Sequence, residues 1–134
     1  MPTQKTTPEA LAARGFYLFP CKGKTPLVKW LKESTTDTAR IQQWAERYPD
    51  CNWGIDCGKS NLAVLDVDSG KVAEAEDNLL ELLMQHGPIP NTLTVRTQSR
   101  GLHYYFSGAI KNSASTKLGK GLDTRGSGGY VVAP

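Results

Sequence analysis

Leu62-Ala63-Val64-Leu65-Asp66-Val67-Asp68 is a run of four apolar residues closed by two acids that bracket a valine. Apolar residues in an unbroken row of this length suit a strand, and alternation along a strand sends residues i and i+2 to the same face. Asp66 and Asp68 therefore leave one side together while Val67 packs on the other. Two carboxylates projecting into one space repel each other unless a cation sits between them. Hard oxygen ligands of this kind suit Mg²⁺ or Mn²⁺, above all where phosphate oxygens complete the shell. Taken alone, the same residues also describe a strand running into an acidic turn.

Outward from this strand, the chain carries helix signals early and strand signals late. Thr7-Pro8-Glu9 has the form of an N-cap, a proline at the first helical position and a first-turn acid, with Gly15 as the stop. Phe16-Tyr17-Leu18-Phe19 predicts a buried strand ended by Pro20, followed by a basic loop from Cys21 to Lys32. Asp37 caps a helix whose Ile41, Trp44, Ala45 and Tyr48 share a stripe, closed by Pro49. Trp53 to Cys57 and Leu62 to Val67 predict two strands joined by a hairpin turn at Gly58-Lys59-Ser60-Asn61. The spacing of Val72, Ala75, Leu79, Leu82 and Leu83 predicts a helix from Gly70 to His86, stopped by Gly87-Pro88. Thr92 to Thr97 and Leu102 to Ser107 predict a hairpin, Lys111 to Lys120 a mobile basic loop, and Gly121 to Thr124 and Gly129 to Ala133 two further strands. This order fits an α+β fold better than strict β-α-β alternation.

At 134 residues the chain has the length of one domain, spanning 1–134, which buries roughly two thirds of its unfolded surface. No apolar run approaches the ~18 residues a bilayer span requires, and Met1 to Pro8 is polar without an apolar signal core. Cys21, Cys51 and Cys57 form an odd set without a C-x-x-C pair, which argues against a disulfide framework or structural zinc and for a reducing, cytoplasmic setting. The net charge of +3 is uneven: residues 1–32 carry +5, residues 33–87 carry −7 and residues 88–134 carry +5. Basic ends around an acidic centre suit a polyanion such as a triphosphate or a nucleic-acid backbone, and equally describe a solvated charged surface.

His103 in Leu102-His103-Tyr104-Tyr105-Phe106 is, alone, a half-buried strand histidine, and Asp123 before Thr124-Arg125-Gly126 is, alone, an acidic turn. Together, three acids on two strands, a histidine on another and a glycine-rich loop with Arg125 are the parts needed for phosphoryl transfer. Imidazole hydrogen-bonds phosphate oxygens and arginine grips them bidentately. Gly58-Lys59-Ser60 does not complete a P-loop, because Trp53 stands where its first glycine is required and a strand, not a helix, follows. The five glycines between Gly119 and Gly129 lack the strand-then-helix setting of a dinucleotide site. Ser99, His103 and Asp123 have no nucleophile elbow to make them a hydrolase triad. Lys24 and Lys29 either bind phosphate or keep a loop solvated; Trp44 belongs to a core stripe, and Trp30 is the tryptophan best suited to stack a base.

In sequence order these residues resemble the primase-polymerase domain at the N-terminus of bifunctional plasmid and phage replication proteins, within the archaeo-eukaryotic primase superfamily. Gly15-Phe16 to Phe19-Pro20 with Lys24 and Pro26 is similar to that family's opening strand and lysine-proline loop. Asn52-Trp53-Gly54-Ile55 with Gly58 resembles its glycine hairpin, and Leu65-Asp66-Val67-Asp68 its first catalytic motif. Thr97-Gln98-Ser99-Arg100-Gly101-Leu102-His103 resembles the second, with Arg100 in place of a small residue, and Gly121 to Gly126 with Gly128 to Pro134 resembles the third.

The resemblance implies a small α/β unit packed beside an RRM-like, mainly antiparallel sheet, and a template-directed nucleotidyl transferase. It implies that Asp66, Asp68 and Asp123 hold two Mg²⁺ or Mn²⁺ ions, that His103 contacts the incoming triphosphate, and that Ser99, Arg125 and Lys24 add phosphate contacts. The implied partners are nucleoside triphosphates, a single-stranded DNA template and a helicase or other replication domain in a longer parent, with no membrane. Family members usually continue beyond the position of Pro134 through a serine-bearing turn and another strand. The contrasting reading is a non-catalytic nucleotide- or single-strand-binding module with the same sheet and basic rim.

Overall fold

The computed structural model describes residues 7–89, 92–97, 101–108, 110 and 121–133. They fall into two compact units, one formed by residues 1–60 with 128–134 and the other by residues 61–127.

In the first unit, helix α1 (Pro8–Ala13) starts as the sequence predicts: Thr7 Oγ1 accepts the N–H of Ala10 at 3.2 Å, Pro8 opens the helix, and Leu11 and Ala12 are buried. Strand β1 is Leu18–Lys22, later than expected and running through Pro20. The reason lies in the ladder. Asp56 donates its N–H to the carbonyl of Tyr17 at 2.9 Å, so alternation makes Pro20 and Trp53 a pair that exchanges no hydrogen bonds with strand β3 (Asn52–Asp56). The missing N–H of Pro20 points to the other side, at the end of the two-residue strand β2 (Thr25–Pro26), where its carbonyl still accepts from Leu27 at 2.9 Å.

The predicted basic loop is therefore partly ordered: β2 turns back on β1 after Gly23, which sits at φ +60°, and helix α2 (Trp30–Glu33) adds one turn. Helix α3 (Thr38–Arg47) is capped by Asp37, whose Oδ1 accepts the N–H of Ala39 at 3.0 Å, and it buries Ile41 and Trp44. Strand β8 (Tyr130–Val132) completes an antiparallel sheet of order β2-β1-β3-β8. The ring of Phe19 lies where a side chain on Gly54 would stand. Trp30 stacks on Phe19 (centroids 5.4 Å apart, planes at 26°) and meets the edge of Tyr130 at 5.0 Å, so this tryptophan has a packing role within the unit. Cys21 and Cys57 are buried; burial, with Cys51 nearby, pushes the Cys21 thiol up to about 12, so it stays protonated at neutral pH.

The second unit holds strand β4 (Leu62–Val67), helix α4 (Ala75–His86) and strands β5 (Thr94–Arg96), β6 (Leu102–Ser107) and β7 (Leu122–Arg125). They form a sheet of order β5-β6-β4-β7, antiparallel throughout. The chain is thus α+β with two antiparallel sheets. The turn at Gly58-Lys59-Ser60-Asn61 is not a hairpin, because β3 and β4 lie in different sheets. Asp56 shapes it: its carbonyl accepts from Ser60 at 3.1 Å and its Oδ1 accepts the N–H of Lys59 at 3.2 Å, and Asn61 takes φ +52°.

One face of the second sheet packs on α4, while the other carries buried Leu62, Val64 and Tyr105 beside the polar residues Asp66 and His103. Val67 and Leu122 are fully buried with Ala75 of α4, and Val72, Leu79, Leu82, Leu65, Leu102 and Tyr104 pack around them. Each fully buried aliphatic side chain of this kind contributes about 1.5–3 kcal/mol. Helix α4 begins at Ala75, five residues later than its apolar spacing predicts, because Val72 reaches the core from a turn in which its N–H binds the carbonyl of Asp68 at 2.8 Å. Gly87, at φ +90°, ends it as expected. The hairpin of β5 and β6 is present, closed by the Thr97 N–H on the Gly101 carbonyl at 3.0 Å. The expected basic loop from Lys111 to Lys120 lies outside the described residues. Among the described residues no helix is long and apolar enough to cross a membrane.

Candidate active site

Strand β4 is central in its sheet, and its register brings the candidate residues together. Asp66 pairs with His103 of β6 on one side and with Asp123 of β7 on the other. Directly paired residues share a face, so Asp123, Asp66 and His103 form a row across three strands on the face opposite Val67 and Leu122. Arg125 and Asp68 extend that face by two residues along β7 and β4 respectively.

The Asp66 carboxylate lies between an imidazole and a guanidinium. Its Oδ1 lies 3.5 Å from His103 Nε2, and its Oδ2 lies 3.9 Å from Arg125 Nη2. The same Nη2 is 3.6 Å from Asp123 Oδ2, so the guanidinium bridges the two facing acids. Arg125 is the outermost of the four, with 37% of its side chain exposed against 12% for His103. Burial pushes the Asp123 carboxyl above its ordinary value; Arg125 opposes this, while Asp66 and Asp68 add to it. Among the described residues, Asp123 Oδ1 and His103 Nδ1 are buried without a hydrogen-bond partner.

Asp68 lies just past β4, and glycines flank it on both sides. Its N–H donates to the carbonyl of Gly121 at 2.8 Å. A side chain on Gly101 would come within 2.6 Å of the Val67 carbonyl and 3.5 Å of the Asp68 Cα. Gly121 has φ +83°, and a side chain there would collide with Ala75. These two positioning residues were not singled out from the sequence. Their signal was available: each glycine stands two residues before a site residue, Gly101 before His103 and Gly121 before Asp123.

The donor chemistry suits a hard divalent cation, with carboxylate oxygens that repel each other and a buried Asp123 oxygen lacking a partner. In the present arrangement, though, no three His, Cys, Asp or Glu side chains among the described residues are gathered closely enough to hold a metal ion. The positive charge between Asp66 and Asp123 is that of Arg125. Of the other predicted residues, Lys24 lies in the β1–β2 turn of the first unit, where its carbonyl accepts the Tyr130 hydroxyl at 2.7 Å. Ser99, like Arg100, lies outside the described residues.

Two facing acids, a histidine and an arginine thus share one face of an antiparallel sheet. Residues 8–134 match the family of the bifunctional DNA primase/polymerase N-terminal domain, and the chain belongs to that family. The family is one of primases and polymerases, nucleotidyl transferases of DNA replication. None of the curated proteins compared with the chain matches it.

Proposed function

We propose that the chain is the catalytic domain of a template-directed primase-polymerase, acting in the cytoplasm within a plasmid- or phage-type replication protein. The observation that carries this reading is the row Asp123–Asp66–His103 across three strands, with Arg125 against both acids. A module that only bound phosphates would gain nothing from three clustered carboxylates.

On this reading Asp66, Asp68 and Asp123 would hold Mg²⁺ or Mn²⁺, two ions in the loaded site. Such ions supply Lewis acidity that favours ionisation of a 3′-hydroxyl and offset the charge of departing pyrophosphate. The chain's own residues do the rest. Arg125, more exposed than His103, binds the triphosphate, and His103, braced against Asp66, donates to a phosphate oxygen. Lys24 and Ser99 add phosphate contacts. The glycines at 101 and 121 let neighbouring backbone close on Asp68 and so set the point from which its side chain leaves. The partners are nucleoside triphosphates, a single-stranded DNA template and a helicase or other replication domain of a longer parent. The family architecture, an α/β unit beside an RRM-like sheet, belongs to the same proposal; two antiparallel sheets, one carrying α4 on a single face, support it.

The test is primer synthesis and extension on single-stranded templates with Mn²⁺. Replacing Asp66 and Asp68 together by alanine is expected to abolish incorporation while the circular-dichroism spectrum stays unchanged; wild-type rates would refute the reading. The guanidinium bridge favours one contrasting function, a metal-independent binding module whose acids are neutralised internally. Triphosphate binding with and without Mn²⁺ separates the two, since such a module depends on salt but not on Mn²⁺.

A further inference from the structure

Arg125 lies between two carboxylates that the proposed function assigns to a divalent ion. Asp66 and Asp123 face each other across the ladder, a placement that is destabilising for two like charges. The Arg125 guanidinium offsets this, with a single nitrogen 3.9 Å from one carboxylate and 3.6 Å from the other. These separations exceed the 2.7–2.9 Å of a charge-assisted hydrogen bond, and neither contact is a bidentate fork. The guanidinium is therefore held by charge rather than by directional bonds. Its side chain is also more than a third exposed, which gives it room to swing outward.

We propose that Arg125 is an exchangeable internal counter-cation: it holds Asp66 and Asp123 together in the metal-free protein, yields its place to a divalent ion, and is thereby released to grip the triphosphate. This rests on the metal-dependent reading above. It makes metal and nucleotide binding mutually reinforcing through one side chain, in addition to any direct bond between metal and phosphate. Coupling of this kind is reciprocal. A divalent ion displaces the arginine because it bonds carboxylate oxygens at about 2.0–2.1 Å, far inside the present ion-pair distances.

The experiment is Mn²⁺ titration by calorimetry, without nucleotide, on wild type and Arg125→Gln, followed by titration of a non-hydrolysable triphosphate with and without Mn²⁺. Removing the competing cation should tighten Mn²⁺ binding about three- to tenfold. It should also weaken triphosphate binding at least tenfold in the presence of Mn²⁺ and shrink the gain in triphosphate affinity that Mn²⁺ confers. Unchanged or weaker Mn²⁺ binding by folded Arg125→Gln would overturn the exchange and leave Arg125 a fixed scaffold. Absence of Mn²⁺ binding in both proteins would instead overturn the metal-dependent function itself. A measurement on unaltered protein guards against misfolding of the variant. The Arg125 Nε–Hε resonance, assigned through Arg125→Lys, should move toward the position of free arginine on Mg²⁺ saturation and move again when triphosphate is added. A resonance unmoved by saturating Mg²⁺ would overturn the exchange.

Discussion

The backbone N–H of Asp68 donates to the carbonyl of Gly121 at 2.8 Å, one step beyond the last paired residues of β4 and β7. That bond ties a candidate metal ligand to a residue whose φ of +83° and contact with Ala75 leave room for hydrogen alone. Gly121→Ala is expected to destabilise the protein by about 2–4 kcal/mol, combining left-handed backbone strain with overpacking against α4. Urea denaturation measures this, and nucleotide incorporation by the remaining folded fraction should fall as well. A loss below about 0.5 kcal/mol would show that the α4 N-terminus gives way freely.

Asp123 carries a cost at neutral pH. Its folded carboxyl holds a proton more tightly than the ordinary value of 3.8, chiefly through burial. The associated stability is present below that value and is lost as pH rises through the raised one. Asp123→Asn should therefore raise the urea midpoint of the metal-free protein at pH 7, with the advantage shrinking as pH falls toward 3.8. Incorporation should be abolished in the same variant. A lower midpoint at pH 7 would mean that the attraction of Arg125 outweighs burial.

His103 touches Asp66 through Nε2 while its Nδ1 has no partner among the described residues. His103→Ala is expected to lower incorporation about 100-fold, the scale of losing one donor that stabilises developing charge. Mn²⁺ binding, assigned to the acids, should survive within about threefold. Its loss alongside incorporation would make His103 a metal ligand instead.

Ser34 and Asp56 form a buried polar pair, with Ser34 Oγ donating to Asp56 Oδ2 at 2.8 Å. Ser34→Ala leaves a buried carboxylate oxygen without its donor and should cost about 1–3 kcal/mol. Thermal unfolding would register this as a drop of several degrees, with kinetic constants of the folded protein unchanged.

Helix α3, the β5–β6 hairpin and the split of β4 into a core face and an acidic face were all legible, because each rests on local signals: a capping acid, a turn and a period of two. The sequence does not separate β3 from β4, because two apolar runs around a four-residue turn look alike whether or not they pair. The partners that decided it, β1 and β8 for β3 and β6 and β7 for β4, lie far off in sequence. Pro20 reads as a stop because its surroundings do not reveal which side of the strand its missing N–H will face. Asp66, His103 and Asp123 are legible one by one as strand residues, and the registers of β6 and β7 against β4 bring these three into one row. The bridge made by Arg125 is not legible, although its place two residues after Asp123 puts it on the same face.

From Leu65 onward, the β4 stretch alternates side chains that pack in the α4 core, Leu65 and Val67, with the acids Asp66 and Asp68. Deleting or inserting one codon within it would exchange the two sets, driving carboxylates into the apolar layer and valine into the site. Substitutions at Asp66 and Asp68 change chemistry while sparing the scaffold, and those at Val67 do the reverse. Through this stretch, then, a change of length does more damage than a change of letter, because it strikes chemistry and scaffold at once.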